Sequence, residues 1–275
     1  MAHHVGSVIG RCAWWLKTSS CRITRINLAL CFPEMSLAER DALTRHSLIE
    51  TAKTACELGI IWASPVPRVL DLIVKVSGEE VLNQAIAKET GLIVLAPHLG
   101  SWELTGLYLE NRFRCTFLYK PPKLAAFNET LIRYRSRLGA QLAPTSAKGV
   151  AMLLKALGRG EVVGILPDQE PSVDSGIFAP FFGVNALTMT LVAKLAQRTD
   201  AEVVCMFARR LPGGSGFELV VNNVFPGIKD ADLSVAATAL NATVEDCVRQ
   251  APCQYQWEYR RFKHQPEQSK NALYR

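Results

Sequence analysis

The spacing of apolar residues divides the chain into two parts near residue 90. Over residues 1–90 the apolar positions recur mainly at helical spacing, which predicts a helical region. From Gly91 onward, short continuous apolar runs alternate with helical patterns, and this alternation is typical of an α/β fold. We therefore expect a helical N-terminal region over 1–90 and an α/β core over 91–275, joined as one continuous domain.

The best-defined helix of the first region begins after Ser36. Ser36 is a favourable N-cap, and Glu39 three residues later completes the sequence of a capping box. The apolar spacing continues to about Trp62, and the stretch SPVP (64–67) then stops the helix because proline cannot continue it. The pattern predicts one long helix in the middle of the N-terminal region.

Buried strands are predicted in the second region by apolar runs bounded by proline or glycine. The runs are LIVLAP (92–97), CTFLYK (115–120), VVGILP (162–167), EVVCMFARR (202–210) and FELVVNNVF (217–225). Helical patterns cover 101–109, 125–138, 148–157, 187–197 and 233–249, and a loop is predicted up to Gly183. The sequence thus predicts a mostly parallel central sheet covered by helices, with an antiparallel hairpin at one edge where 212–216 forms a turn.

Composition and charge narrow the class of protein without identifying it. Hydrophobic residues make up 49% of the 275 positions and charged residues 20%, as in a globular protein with a buried core. The formal net charge of +6 favours anionic partners, which include phospholipid headgroups, phosphorylated sugars, acidic carrier proteins and nucleic acid. The eight cysteines form no C-x-x-C pair and the five histidines do not cluster with them, so we expect reduced thiols and no metal site.

The first apolar segment, residues 5–16, leaves two interpretations open. It contains Trp14 and Trp15 and is followed by Lys17, Arg22 and Arg25. Tryptophan beside basic residues is typical of a helix in the headgroup region of a membrane, whereas a core helix would bury the tryptophans. No apolar run reaches the roughly 18 residues that a spanning helix needs, so we expect none.

Candidate catalytic residues follow the predicted strands. His98, Lys120 and Asp168 each lie just past a strand, and the carboxyl ends of parallel strands form the rim where α/β proteins place their sites. Glu103 lies five residues after His98, and the intervening turn at Gly100 lets its carboxylate fold back onto the imidazole. A carboxylate bonded to one ring nitrogen would fix the tautomer and stabilise the imidazolium that forms when the other nitrogen takes a proton from a hydroxyl.

Four further stretches carry a family resemblance in their order along the chain. They are NLALCFPE (27–34), LAPHLGSWE (95–103), LPDQEPSVDSGIFAPFFGVNALT (166–188) and QYQWEYRRFK (254–263). Together they resemble the bacterial lipid A biosynthesis acyltransferases, the late lauroyl and myristoyl transferases of the lysophospholipid acyltransferase superfamily. The resemblance implies transfer of a fatty acyl chain from acyl carrier protein to a hydroxyl of a lipid A precursor, with no metal, no other cofactor and no acyl-enzyme intermediate.

The resemblance also implies a cellular location and roles for individual residues. It implies work at the cytoplasmic face of the bacterial inner membrane, where we expect this chain to be peripheral or weakly anchored at the membrane surface. His98 and Glu103 match the family's catalytic dyad. Asp168 and Gln169 match its Asp-Gln element, and we expect them to bind or orient substrate or to support His98.

A basic cluster surrounds the second predicted strand. Arg137 falls where the family has an arginine near its active-site groove, and we expect Arg137 and Lys120 to bind substrate. The cluster could hold phosphates of the acceptor or the acidic carrier protein, or it could be a solvated helix face. Its other members are Lys123, Arg133 and Arg135.

Two aromatic groups have alternative interpretations. Phe178, Phe181 and Phe182 could line an acyl channel or pack in the core. Aromatic and basic residues are interleaved over 254–263, a pattern that can suit nucleic acid. We favour a C-terminal packing segment there and expect no nucleic-acid partner.

The sequence motifs of several other enzyme classes are absent from this chain. The chain has no G-x-S-x-G of an α/β-hydrolase, no glycine-rich nucleotide motif and no H-E-x-x-H. Within the superfamily, a glycerolipid, ornithine lipid or other glycolipid acceptor and acyl-CoA as the donor are alternatives. A non-catalytic lipid-binding protein is also an alternative, but the presence of both His98 and Glu103 argues against it.

Overall fold

The structure, a computed structural model, describes residues 2–122, 125–266 and 271–274. The helices are α1 (Ala2–Trp15), α2 (Ser19–Cys31), α3 (Leu37–Ala63), α4 (Val66–Leu70), α5 (Glu79–Ile86), α6 (Trp102–Arg112), α7 (Ala125–Arg135), α8 (Ala147–Leu157), α9 (Leu191–Thr199) and α10 (Leu233–Gln250). The strands are β1 (Ile73–Ser77), β2 (Leu92–Leu95), β3 (Cys115–Tyr119), β4 (Gln141–Pro144), β5 (Val162–Ile165), β6 (Gly176–Phe181), β7 (Val184–Met189), β8 (Glu202–Arg210) and β9 (Phe217–Asn223).

The long helix of the N-terminal region is α3, and its predicted capping box is confirmed. The Ser36 hydroxyl accepts from the Glu39 N–H at 3.3 Å, and the Glu39 carboxylate accepts from the Ser36 N–H at 2.7 Å. These bonds satisfy donors that the first turn of a helix otherwise leaves unpaired. At its other end α3 stops at Ala63, directly before the predicted proline stop.

Helix α1 lies across α3 at two glycines. A Cβ at Gly6 or Gly10 would meet the backbone of Lys53 or Ile49 at 2.7 and 2.4 Å, so only glycine allows this approach. The two tryptophans of α1 differ, because Trp14 donates to Asp41 at 3.3 Å whereas 74% of the Trp15 surface is exposed. No helix of the described ranges is both long and apolar enough to cross a bilayer.

Seven strands of the described residues form one sheet, in the order β1-β9-β8-β2-β5-β3-β4. Neighbouring strands are parallel except β8 and β9, which form an antiparallel hairpin. The predicted α/β fold with a mostly parallel central sheet is thereby confirmed. The order places β5 directly beside β2, although β3 and β4 lie between them in the chain. All residues of β2 and β5 are buried, and helices pack on both faces of the sheet.

Two details of the predicted elements are wrong. The first ninety residues are not all helical, because β1 adds a half-exposed strand that pairs with β9 and takes the sheet edge that we assigned to the β8–β9 hairpin. The segment around 176–189 is a second hairpin of β6 and β7 rather than a loop and the start of a helix. Phe182 and Gly183 both have positive φ, 50° and 75°, and so form the tight turn that joins the two strands.

Candidate active site

The carboxyl ends of β2 and β5 bring His98 and Asp168 together. The two strands are parallel neighbours with Leu95 opposite Ile165, and each of the two polar residues follows three positions after a strand end. His98 Nδ1 lies 2.8 Å from Asp168 Oδ1, and the His98 backbone N–H donates to Asp168 Oδ2 at 2.9 Å. Both oxygens of the carboxylate therefore hold the histidine.

The environment of Asp168 keeps its carboxylate ionised. Its side chain is 2% exposed, against 14% for His98. Burial acts to raise the pKa of Asp168, but the charge and the hydrogen bonds of His98 outweigh it and lower that pKa. Burial and the neighbouring Asp168 charge raise the pKa of the Tyr255 phenol well above its usual range. An ionised Asp168 can only accept a hydrogen bond, so it favours the tautomer of His98 that carries its proton on Nδ1 and a free lone pair on Nε2.

Gln169 lies at the free nitrogen of the imidazole. Its amide nitrogen is 3.2 Å from His98 Nε2 and 3.3 Å from Gln256 Oε1, so one –NH₂ group can donate to both. The backbone N–H of Gln256 donates to the His98 carbonyl at 3.0 Å. A substrate hydroxyl that approaches Nε2 would take the place of this amide.

The turn after His98 requires glycine. Gly100 has a φ of 62°, and a Cβ there would lie 2.0 Å from the Ala208 carbonyl oxygen. The Gly100 N–H donates to the Gln254 carbonyl at 3.0 Å, and the Ser101 N–H donates to the Ala208 carbonyl at 2.9 Å. The turn is thus held between β8 and the C-terminal segment, and it starts α6 at a fixed position.

The expected hydrogen bond between Glu103 and His98 is replaced by other contacts. Glu103 accepts from Arg135 Nε at 2.9 Å and from Arg135 Nη2, and it accepts from Trp62 Nε1 at 3.2 Å. Asp168 takes the ring nitrogen of His98 instead. The order of the strands explains this difference. Because β5 lies beside β2, Asp168, which follows β5, already accepts a hydrogen bond from the His98 backbone. Glu103 on α6 instead faces α3 and α7.

The basic residues of the predicted cluster separate into different roles. Arg137 donates from Nη1 to the Trp62 and Ser64 carbonyls at 3.2 Å each, so it holds the end of α3. Its Nε is buried without a partner in the described residues, and burial lowers the pKa of its guanidinium. Arg135, two positions earlier, makes the contact with Glu103. Lys120 is exposed just past β3, and Lys123 lies outside the described residues.

A mostly apolar cleft lies beside His98. Trp102 links the two, because its ring contacts the imidazole at 5.1 Å between centroids and also lines the cleft. The cleft runs between α6, α7, the end of α3 and the ends of β3 and β5. Its lining is Ile61, Trp62, Ala96, Trp102, Glu103, Thr105, Gly106, Leu107, Leu109, Glu110, Phe117, Leu118, Tyr134, Arg135, Arg137, Gly164 and Leu166.

The phenylalanines considered for an acyl channel are not part of this cleft. Phe181 and Phe182 are buried in the core, where Phe182 packs on Phe32 and Trp257 at centroid distances of 5.0 and 5.9 Å. Phe178 is partly exposed on β6. The sequence analysis did not identify the α6 residues that line the cleft. The wall is built by α3, α6 and α7 together, and these helices are far apart in the sequence.

The C-terminal segment supports the site as a packing segment. Trp257 is buried, and Tyr259 accepts from the Glu170 N–H at 3.0 Å. The fully buried Glu170 carboxylate bonds His264 Nδ1 at 2.6 Å. These contacts fix the residue next to Gln169; the sequence predicted a packing segment over 254–263 but not its contact with Glu170.

These features together define a class of enzyme. A histidine whose Nδ1 is held by a buried carboxylate has the geometry of a general base, and an adjoining apolar cleft suits a hydrocarbon chain. Such a site can activate a hydroxyl beside a bound acyl chain, which is the chemistry of an O-acyltransferase.

Comparison with known proteins identifies the family. A sequence model described as "Bacterial lipid A biosynthesis acyltransferase" matches residues 1–264. The chain is 30% identical over 268 residues to a lipid A biosynthesis lauroyltransferase of Escherichia coli (strain K12), covering 96% of this chain and 86% of the relative. It is 29% identical to a palmitoleoyltransferase of the same strain, with 89% and 79% coverage, and 27% identical to a myristoyltransferase, with 90% and 77%. The chain belongs to the bacterial lipid A biosynthesis acyltransferase family and is an acyltransferase.

Proposed function

We propose that this protein transfers a fatty acyl chain from an acyl-carrier-protein thioester to a hydroxyl of a lipid A precursor. The observation that carries the proposal is the pair of bonds between His98 and Asp168 beside the apolar cleft. Family membership supports late acylation of lipid A, since the relatives are named for this reaction. Their names specify three different acyl chains, lauroyl, palmitoleoyl and myristoyl, so family membership by itself does not determine the acyl length.

In the proposed reaction His98 Nε2 takes the proton of the acceptor hydroxyl as its oxygen attacks the thioester carbonyl carbon. The new C–O bond forms, the C–S bond breaks, and the carrier thiol leaves with the proton that His98 returns. Asp168 stabilises the imidazolium between these two proton transfers because its charge lies against Nδ1. Gln169 gives up its place at Nε2 to the hydroxyl.

Glu103 belongs to the proposed site through a different contact from the one that the sequence suggested. It anchors the Arg135 guanidinium and the Trp62 indole at the mouth of the cleft. Arg135 remains partly exposed, with 28% of its side chain open, so it can still meet an anionic group of donor or acceptor. Lys120, exposed beyond β3, is proposed to contact the acidic carrier protein.

The exposed side of α1 supports work at a membrane surface. Val5, Val8 and Ile9 are about half-exposed on this helix, and most of the Trp15 surface is exposed. The first turn of α1 lies at the end of α3, where His3 bonds Glu57 at 2.5 Å, one turn before the α3 residues that line the cleft. We propose peripheral attachment at the cytoplasmic face of the inner membrane, with α1 in the headgroup region.

Expression in a bacterial strain that lacks its own late acyltransferases tests the proposal. Mass spectrometry of its lipid A should show a gain of one acyl chain with the wild-type protein and none with His98→Ala. Purified enzyme should also prefer acyl-carrier-protein thioesters over acyl-CoA. An unchanged lipid A accompanied by a new acylated glycerolipid or ornithine lipid would contradict the proposed acceptor, and a preference for acyl-CoA would contradict the donor.

A further inference from the structure

Gly106 is an unexpected residue in the middle of α6. Glycine weakens a helix interior relative to alanine because the unfolded chain gains more freedom and the helix gains no side-chain contact. Some helical glycines here have a packing reason, as at Gly6 and Gly10, where a Cβ would collide with the backbone of α3. Gly106 has no such reason, because a Cβ placed there meets nothing within 4 Å beyond its chain neighbours and the nearby backbone of its own helix.

The space in front of Gly106 is the apolar cleft. Gly106 lines the cleft together with Glu103 and Glu110, which lie three residues before it and four residues after it on the same face of α6. Gly106 itself therefore adds no side chain to this wall, which its neighbours Thr105 and Leu107 also line. A Cβ at this position would project toward the cleft without meeting another element of the fold.

The position of Gly106 along the cleft follows from the fold. Helix α6 follows β2 and runs back along the sheet, away from the rim that holds His98. With a rise of about 1.5 Å per residue, Gly106 lies about 4.5 Å below Glu103 and Glu110 about 6 Å further. The Glu110 carboxylate is held there by the Leu138 and Ala140 N–H groups at 2.8 and 2.9 Å. A chain that enters beside His98 passes Gly106 before it reaches the polar group of Glu110.

We propose that Gly106 determines the length of the acyl chain that this enzyme transfers, by leaving the cleft wall open one helical turn below Glu103. The inference rests on the proposed function, in which the cleft holds the acyl chain of the donor. Adding a side chain at position 106 should shorten the preferred chain, because a hydrophobic pocket discriminates against one surplus methylene by about 10- to 200-fold.

The test compares Gly106→Ala and Gly106→Leu with a matched control, Gly59→Ala. Gly59 lies in α3 on an exposed face outside the cleft, and a Cβ there also meets nothing within 4 Å. Acyl carrier protein loaded with saturated chains from octanoyl to palmitoyl is the donor series, and a lipid A precursor with a free hydroxyl is the acceptor. Both alanine variants should raise the midpoint of thermal unfolding by roughly 1–4 °C.

The two Gly106 variants should shift the donor profile toward shorter chains, leucine further than alanine, whereas Gly59→Ala should keep the wild-type profile. An unchanged profile in a folded Gly106→Ala protein would overturn the proposal, as would a change in acceptor preference with the donor profile intact. Calorimetric binding of the same loaded carrier proteins tests the role of Gly106 independently of turnover. If the wild type binds but transfers nothing, the proposed reaction fails, and the chain-length dependence of binding still supports or refutes the role of Gly106.

Discussion

The substitution Asp168→Asn tests which carboxylate serves His98. Both oxygens of Asp168 accept N–H groups of His98, one from the ring and one from the backbone. An asparagine side chain has one oxygen and one –NH₂ group, so it can satisfy only one of these donors. If the oxygen stays on the backbone N–H, the –NH₂ faces Nδ1 and selects the tautomer that is protonated at Nε2, which cannot act as the base.

The magnitude follows from the lost charge. At an effective dielectric constant of about 20, a carboxylate about 4 Å from the imidazolium charge stabilises it by about 4 kcal/mol. Because about 1.4 kcal/mol corresponds to a factor of ten in rate, we expect kcat to fall by about 10³-fold. Single-turnover transfer from a loaded carrier protein measures this loss, and thermal unfolding checks that the variant is folded.

Glu103→Gln is the matched control for Asp168→Asn. It removes a charge from α6 but leaves both hydrogen bonds of His98 in place, and an amide oxygen can still accept from Arg135 or Trp62. Its kcat should fall much less than that of Asp168→Asn, and the pH at which the rate half-declines in acid should stay near the wild-type value. Asp168→Asn activity within tenfold of the wild type, together with a 10³-fold loss in Glu103→Gln, would refute the assignment of Asp168 as the partner of His98.

Other variants test the base, the buried charge network and the acid limb of stability. His98→Ala should lower the transfer rate by about 10²–10⁴-fold in a protein that still folds, with a lower unfolding midpoint because the buried Asp168 loses its ring partner; near-wild-type turnover would contradict a general-base role. Arg210→Ala should destabilise the fold by about 3–5 kcal/mol, because it leaves the buried Glu57 carboxylate without its bonds from Arg210; denaturant unfolding measures this, and a loss below about 1 kcal/mol would argue against it. Hydrogen bonds from Ser77 and Arg209 lower the pKa of Glu218 to about 2. Because this folded-state pKa lies below the unfolded value of about 4.3, its contribution to stability is present above pH ~4.3 and is lost as the pH falls toward 2. Glu218→Gln should therefore reduce stability at neutral pH and flatten its decline in acid, as thermal unfolding across pH would show, and an unchanged acid profile would exclude this origin.

The sequence alone was sufficient wherever a local pattern determines the structure. The capping box at Ser36 and Glu39 depends on side chains three residues apart, and the strand β2 is a continuous apolar run, so both could be predicted. The place of His98 and Asp168 at one rim followed in the same way, because residues after parallel strands meet at the same edge of a sheet. The weakly patterned edge strand β1 and the β6–β7 hairpin were missed, since their pairing partners decide them more than their own composition does.

The identity of the carboxylate that holds His98 was decided only by the tertiary structure. Sequence separation favours Glu103, which is five residues away, over Asp168, which is 70 residues away. The order of the strands reverses that preference, because β5 lies beside β2 and delivers Asp168 to both N–H groups of the histidine. The sequence determined which residues reach the rim, whereas long-range strand pairing determined which of them touch.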